Sequence, residues 1–243
     1  MKKKTGDDHP VVETKKLAKH YGSSHALDGL DIKVPKNSIY GLVGPNGAGK
    51  TTTLGILSTL VMPTSGSAKV AGHDVTKEPL RVKEKIGLLP QGAALYPKRT
   101  AVDVISFYSK LAGVDDPSEN AHSLLDRVGL KKHKDKEIRE MSNGMVKLTG
   151  IAQALIGGPL IIMLDEATAG LDPRAAYNIR KLVRDLKKES TVIFSSHNLY
   201  EVQDLCDHVG IIHKGKLVVE GKTKDITKKK KSLEKVFMEK IKA

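Results

Sequence analysis

The chain has no tryptophan, three phenylalanines and a single cysteine among its 243 residues. One cysteine, Cys206, excludes an internal disulfide framework and fits a reducing compartment, with a small buried side chain as its ordinary role. No apolar run approaches the length needed to cross a bilayer, and Met1-Lys2-Lys3-Lys4 leads into Thr5-Gly6-Asp7-Asp8 rather than into an apolar signal core. The expectation is a soluble, cytosolic chain. Acidic residues are short relative to basic ones, 28 against 41, for a formal net charge of +13. That balance suits phosphate-rich partners or an anionic membrane surface, but the lysines are scattered with few aromatics between them, so solvated lysine is the plainer reading. Internal repeats and long linkers are missing too. The length suffices for one large domain or two small ones with a substantial core.

What is present is organised around Gly44-Pro45-Asn46-Gly47-Ala48-Gly49-Lys50-Thr51, which has the spacing of a phosphate-cradling loop. Ile39-Tyr40-Gly41-Leu42-Val43 before it is an apolar run fit for a buried parallel strand, and Thr51-Thr52-Thr53-Leu54-Gly55-Ile56-Leu57 after it continues as a helix. Glycines 44, 47 and 49 let backbone N–H groups turn inward, the helix adds its positive end, and Lys50 supplies the point charge a triphosphate needs. Thr51 can present a hydroxyl to Mg²⁺. The competing reading is a glycine-rich turn in an ordinary α/β protein.

Upstream, residues 11–34 read as short alternating strands with a turn at Tyr21-Gly22-Ser23-Ser24, giving an antiparallel start. Tyr21 is a candidate to stack on a nucleotide base. Downstream, residues 63–72 read as turn-rich, and Ile86-Gly87-Leu88-Leu89-Pro90 as a strand ending at Gln91, whose carboxamide can reach a metal or a water. Between Ala101 and Gly157 apolar residues recur at helical spacing with stops at Gly113 and Gly129, which implies a helical lobe inserted into an α/β core. Ser142 in Met141-Ser142-Asn143-Gly144-Met145 is a good helix cap, and the helix start beside it is a second possible anion site.

Leu160-Ile161-Ile162-Met163-Leu164 is a continuous apolar run, as a central parallel strand requires, and it ends in Asp165-Glu166. Ligands in open α/β sheets bind at strand carboxyl ends, so Asp165 is placed to hold Mg²⁺ and Glu166 to orient or deprotonate water. A helix is expected from Pro173 to about Leu186, then a strand over Thr191-Val192-Ile193-Phe194-Ser195-Ser196 that ends at His197, within reach of a γ-phosphate. A hairpin turning at Lys214-Gly215 follows, and the tail carries Lys228-Lys229-Lys230-Lys231 before Leu233, Val236, Phe237 and Ile241 at helical spacing.

Taken together and in this order, these residues resemble the nucleotide-binding subunit of an ATP-binding cassette transporter over nearly the whole chain. Residues 44–51 match the Walker A loop, Gln91 the Q-loop, Ser142-Asn143-Gly144-Met145 the signature motif, and Leu160 through Asp165 the Walker B strand. Glu166 matches the catalytic glutamate, Ala169 through Asp172 the D-loop, His197 the switch histidine, and Tyr21 the adenine-stacking aromatic. The signature departs from the commonest Leu-Ser-Gly-Gly-Gln, with Met141, Asn143 and Met145 in place of the Leu, the first Gly and the Gln; Lys147 and Leu148 stand where an Arg is usual. Ser-x-Gly-Met and the tail segment Ser232-Leu233-Glu234-Lys235-Val236-Phe237 resemble a subfamily of drug, polysaccharide and ion exporters.

The resemblance implies an α/β P-loop NTPase (RecA-like) core over about 10–92 and 158–225, an antiparallel β subdomain, an inserted α-helical subdomain over about 93–157, and a basic tail over about 226–243. It implies ATP hydrolysis, with Gln91, Glu166 and His197 catalytic, Thr51, Gln91 and Asp165 on Mg²⁺, and Tyr21, Gly44, Pro45, Asn46, Gly47, Ala48, Gly49, Lys50, Thr51, Thr52, Ser142, Gly144 and Asp172 on nucleotide. Two such domains would face head to tail, with Ser142 and Gly144 acting across the interface. The implied partners are a membrane-spanning permease subunit and a second ATPase domain, placing the chain on the cytoplasmic face of the membrane; no nucleic acid is expected. A soluble cassette ATPase acting on nucleic acid or ribosomes is the alternative, but that class carries two cassettes or a long coiled coil between the Walker motifs. An idle regulatory module is disfavoured by Lys50, Asp165, Glu166 and His197 all being present.

Overall fold

The computed structural model describes residues 10–92, 95–228 and 232–241. In chain order the elements are β1 (Val12–Tyr21), β2 (Ser24–Leu30), β3 (Lys33–Val34), β4 (Ile39–Val43), α1 (Lys50–Leu57), β5 (Ser65–Val70), β6 (His73–Asp74), α2 (Pro79–Lys83) and β7 (Ile86–Leu89). There follow α3 (Ala101–Leu111), α4 (Pro117–Arg127), α5 (Asn143–Ala154), β8 (Ile161–Asp165), α6 (Pro173–Leu186), β9 (Thr191–Ser196), α7 (Leu199–Leu205), β10 (His208–His213), β11 (Lys216–Lys222), α8 (Thr223–Ile226) and α9 (Leu233–Ile241).

Two sheets result. One runs β11-β10-β4-β9-β8-β7 and is parallel from β10 through β7, with β11 folded back as an antiparallel edge; the other runs β2-β1-β5-β6, with β3 also on β1, and is antiparallel. Every residue of β4, β8 and β9 is buried. That is why these strands read as unbroken apolar runs: both faces are covered, so no alternation survives.

The strand period of two then divides their side chains between two cores. Ile162, Leu164, Val192 and Phe194 face the cluster that contains the packed faces of α3, α4, α5 and α6, while Ile161, Met163 and Ile193 face the cluster built on α1 and the antiparallel strands. Truncating Leu164, wholly buried, to Ala therefore costs about 2 to 5 kcal/mol.

The stretch 63–72 is not merely turns: β5 lies there, paired to β1 from Val12 opposite Val70 to Ala18 opposite Ser65. Its small, polar residues give weak strand propensity, and pairing to a long neighbour supplies the structure that composition does not. Helix α2 also escaped the periodicity reading, being five residues long, with Pro79 at its first turn. From Leu233 onward the tail is docked rather than loose. Leu233 is fully buried, its N–H donates to Gln203 Oε1 at 2.8 Å, and the Phe237 ring meets His213 edge-on at 5.8 Å. Lys229, Lys230 and Lys231 lie outside the described residues.

Candidate nucleotide site

The phosphate loop turns between the end of β4 and the first residue of α1, at the carboxyl end of the parallel sheet. Its glycines have stated reasons. Gly49 sits at φ +110°, where an L side chain is strained, and a Cβ there would fall 2.6 Å from Ala26 O; a Cβ at Gly44 would fall 2.2 Å from Ile212 O. The loop is backed from behind by the β10–β11 turn, where Gly215 N–H donates to Ala48 O at 3.0 Å and Gly215 O accepts from Asp28 N–H at 3.0 Å.

Lys50, at the start of α1, is buried, and its ammonium donates to Gly44 O at 2.8 Å and Pro45 O at 3.2 Å. It also pairs with Glu166 Oε1 at 3.3 Å. Glu166 Oε2 in turn meets His197 Nδ1 at 2.8 Å, so one carboxylate joins the ends of β8 and β9 to the loop after β4. Glu166 holds a left-handed backbone, φ +49°, an uncommon conformation for a non-glycine residue and one that surrounding bonds must over-determine. Ser195 is among them: its Oγ accepts from Glu166 N–H at 3.0 Å and donates to Asp165 Oδ1.

Around this centre lies a cleft of about 470 Å³ lined by Tyr21, Ser24, His25, Ala26, Asn46, Gly47, Gly49, Lys50, Thr51, Thr52, Gln91 and Glu166. Tyr21 closes one end at the β1–β2 turn, half exposed, with Lys19 Nζ 4.9 Å from its ring centroid. The volume is within the range of nucleotide-sized pockets. Thr51 lines the cleft with its side chain exposed. No cluster of three or more His, Cys, Asp or Glu side chains among the described residues is placed to hold a metal alone. Asp165 at the end of β8 and Thr51 at the loop offer the oxygen donors that Mg²⁺ takes, whose shell is ordinarily completed by substrate phosphates and water.

The remaining expected residues are placed elsewhere. Ser142 caps α5, accepting from Met145 N–H at 3.3 Å, and Gly144 packs toward α6, where a Cβ would meet that of Ala175 at 3.0 Å. Asp172 caps α6, accepting from Arg174 N–H and Ala175 N–H, both at 3.0 Å. None of the three lines the loop cleft. A second cleft of about 580 Å³ lies beside them, shared by Gln91, Gly92, Asn143, Val146, Lys147, Glu166 and the 169–171 turn.

Gln91 thus borders both clefts, and its carbonyl accepts from Lys147 Nζ at 3.3 Å. Burial holds the Lys147 ammonium below its ordinary pKa, while the carboxylates of Asp165 and Glu166 pull the other way. Sequence reasoning treated Lys147 only as a departure at the signature helix; its reach toward the carboxylates follows from α5 lying against β7 and had no signal in the sequence. His25 and Ser24 were missed too, although Ser24 belongs to the Tyr21 turn and His25 follows it directly, a signal that could have found them.

Beyond Gln91, two neighbouring apolar residues take opposite places. Leu95 is buried in the helical core and Tyr96 is 57% exposed, while Ala93 and Ala94 lie outside the described residues. Tyr96 borders an open groove of about 410 Å³ with Arg99, Asp103, Val104 and Phe107. No described helix is long and apolar enough to cross a membrane.

With this geometry in place, comparison with known proteins is informative. The family profile described as ABC transporter matches residues 27–169. The chain is 36% identical over 219 residues to the linearmycin resistance ATP-binding protein of Bacillus subtilis (strain 168), covering 89% of this chain and 70% of that one. It is 39% identical over 213 residues to the bacitracin transport ATP-binding protein of Bacillus licheniformis, covering 86% and 69%. Among solved structures it resembles an ATP-binding subunit of an ABC transporter, with TM-score 0.83 at 24% identity over 95% of this chain and 99% of that one, which speaks to the fold. An ABC transporter's ATP-binding cassette in its ADP conformation gives TM-score 0.80 at 26% identity, covering 93% and 98%. The chain therefore belongs to the ATP-binding subunits of ABC transporters, a family of ATP-hydrolysing proteins with this mixed α/β P-loop fold.

Proposed function

We propose that this chain hydrolyses ATP in the cleft between Tyr21 and Glu166 to power export through a separate membrane-spanning subunit, working as a dimer on the cytoplasmic face. The observation that carries the reading is the chain of contacts that runs from buried Lys50 through buried Glu166 to half-exposed His197 at the mouth of the phosphate loop. In it the lysine and the general base neutralise one another, and incoming ATP changes both. Lys50 exchanges Glu166 for γ-phosphate oxygens, and the released carboxylate is free to take a proton from the attacking water. His197, 2.8 Å from Glu166, orients that carboxylate and stands ready to donate to the γ-phosphate. Tyr21 stacks on the base, and the N–H groups of residues 44–52 wrap the phosphates. Thr51, Asp165 and Gln91 would hold Mg²⁺, which when bound would supply charge neutralisation to the phosphates.

Ser142, Gly144 and Asp172 lie off the cleft, which favours their acting on nucleotide held by a second copy facing head to tail. Export is favoured because the linearmycin resistance and bacitracin transport relatives carry those names, and the Ser-x-Gly-Met signature points the same way. The membrane subunit docks at the groove where Tyr96 and Phe107 are exposed beside Arg99 and Asp103, a few residues after Gln91 in the chain. The test is ATPase activity and ATP-dependent dimerisation of the parent against Glu166→Gln and Lys50→Ala. Turnover that survives Glu166→Gln overturns the assignment of the base, and ATP affinity unaltered in Lys50→Ala removes Lys50 from the site.

A further inference from the structure

Ser195 and Ser196 are consecutive in β9, so their side chains leave opposite faces of the sheet. Ser195 goes toward Asp165 and the Glu166 N–H. Ser196 goes the other way: its Oγ donates to Glu201 Oε2 at 3.0 Å and accepts from Asn198 N–H at 3.0 Å. Glu201 Oε2 also accepts from Thr168 Oγ1 at 2.9 Å, and Oε1 faces Arg180 Nη1 at 3.5 Å.

Glu201 is 8% exposed, and a carboxylate at that depth is tolerated only when its charge and lone pairs are taken up. Its partners here come from three separate stretches. Thr168 lies two residues beyond Glu166, Ser196 immediately precedes His197, and Arg180 is on α6, the helix that Asp172 caps. Two further ion pairs prolong the tie between α6 and the segment after His197: Arg184 to Asp204 at 2.6 Å and Lys187 to Asp207 at 2.7 Å.

We propose that Glu201 is a positioning residue for hydrolysis: it locks the turn that follows Glu166 to the strand end that carries His197, so that both groups and α6 move as one body. The inference rests on the reading of Glu166 and His197 given above. It adds to that reading the means by which the carboxylate in its left-handed conformation and the histidine keep their register while nucleotide comes and goes.

The experiment uses the full chain with Thr168→Val and Ser196→Ala, which each remove one arm, and Glu201→Ala, which removes both. Hydrogen exchange is read on the nucleotide-free chain, and steady-state ATPase on the same preparations. Each single-arm variant should lower kcat about tenfold with KM for ATP within twofold, the expected loss for one buried hydrogen bond to a charged group. Because Glu201 acts through Thr168, Thr168→Val combined with Glu201→Ala should be no slower than Glu201→Ala alone. In the nucleotide-free chain Glu201→Ala should raise amide exchange in residues 166–172 and 196–200 together.

Unchanged kcat in Thr168→Val and Ser196→Ala, multiplicative losses in the double variant, or faster exchange in only one of the two segments overturns the proposal. The single-arm variants keep the buried charge paired with Arg180, so they read the proposal even if Glu201→Ala fails to fold. Glu166→Gln is run in parallel. If it leaves turnover intact the reading of the site falls, whereas if it stops turnover and the Glu201 series does not lower it, only the positioning role falls.

Discussion

The two ends of the candidate site are built on opposite plans. At the phosphate loop, side chains from the start of α1 and the ends of β8 and β9 converge: Glu166 joins Lys50 to His197, and Ser195 joins Asp165 to the Glu166 N–H. At the signature turn, the Ser142 and Asp172 side chains bond, among the described residues, only to their own helix starts. Non-local contacts give a geometry that depends on the whole fold and that nucleotide must rearrange; local capping gives a geometry that exists before any ligand but holds nothing within the chain. On the proposed function the first end binds nucleotide by itself, and the second acts on nucleotide brought to it.

The largest effect expected from disturbing this contrast is at Glu166. Glu166→Gln should lower kcat by on the order of a hundredfold or more, the usual loss on removing a general base. Because the same change releases Lys50 from its ion pair, ATP affinity should rise or hold, not fall. Phosphate release and calorimetry on one preparation check both halves of that expectation, and the locally capped end should be indifferent to it. Lys50→Ala should instead weaken ATP binding by roughly 1.5 to 3 kcal/mol, the loss of a charge-assisted contact.

Disturbing the other end should give the reverse pattern. Ser142→Arg is expected to abolish ATP-driven dimerisation while leaving the ATP affinity of the single chain nearly unchanged, as read by titration beside size-exclusion chromatography. Loss of both would place the turn in its own chain's site and erase the contrast. Next in size, Tyr96→Ala with Lys98→Glu and Arg99→Glu should release the chain from membranes that contain its transport partner while ATP binding in solution persists; co-sedimentation reads this.

The smallest effect is on stability. Asp207 keeps a carboxyl pKa below its ordinary value although burial pushes it up, because the Ile39 N–H and the Lys187 ammonium both favour the anion. A carboxylate whose folded pKa lies below its unfolded one stabilises the fold above the unfolded pKa and loses that contribution as pH falls through the folded value. Asp207→Asn should therefore flatten the acid side of the thermal-stability curve below about pH 4, and calorimetric scans across that range decide it. Nucleotide affinity should not move, since this tie lies at the other end of the strands.

How much of this was legible in the sequence follows the same division. The strands β4, β8 and β9 announce themselves because burial on both faces leaves unbroken apolar runs, and the residues at their carboxyl ends are then placed by topology alone. Helices α3, α4 and α5 show their period through the one face that packs. By contrast β5 has only Ala68 and Val70 pointing inward, too few for a pattern, and it exists by pairing with β1. The ion pair of Lys50 with Glu166, the reach of Lys147 and the convergence on Glu201 join residues more than thirty positions apart or on separate elements. Spacing carries no record of such contacts. Tyr96 and Leu95, neighbours in one apolar stretch, were separable only once the helical core had claimed Leu95.

The wall behind the phosphate loop has a consequence for synthesis. Ala48 is held by Gly215 and Gly44 is fitted against Ile212, so the loop is finished by a hairpin that leaves the ribosome roughly 170 residues after it. At about 5 to 20 residues per second the loop waits some ten to thirty seconds, its glycines unbraced, before the last support arrives. A nascent chain stalled ahead of Gly215 should therefore bind nucleotide poorly even with every phosphate-contacting residue already translated, and the competence to bind should arrive late and abruptly.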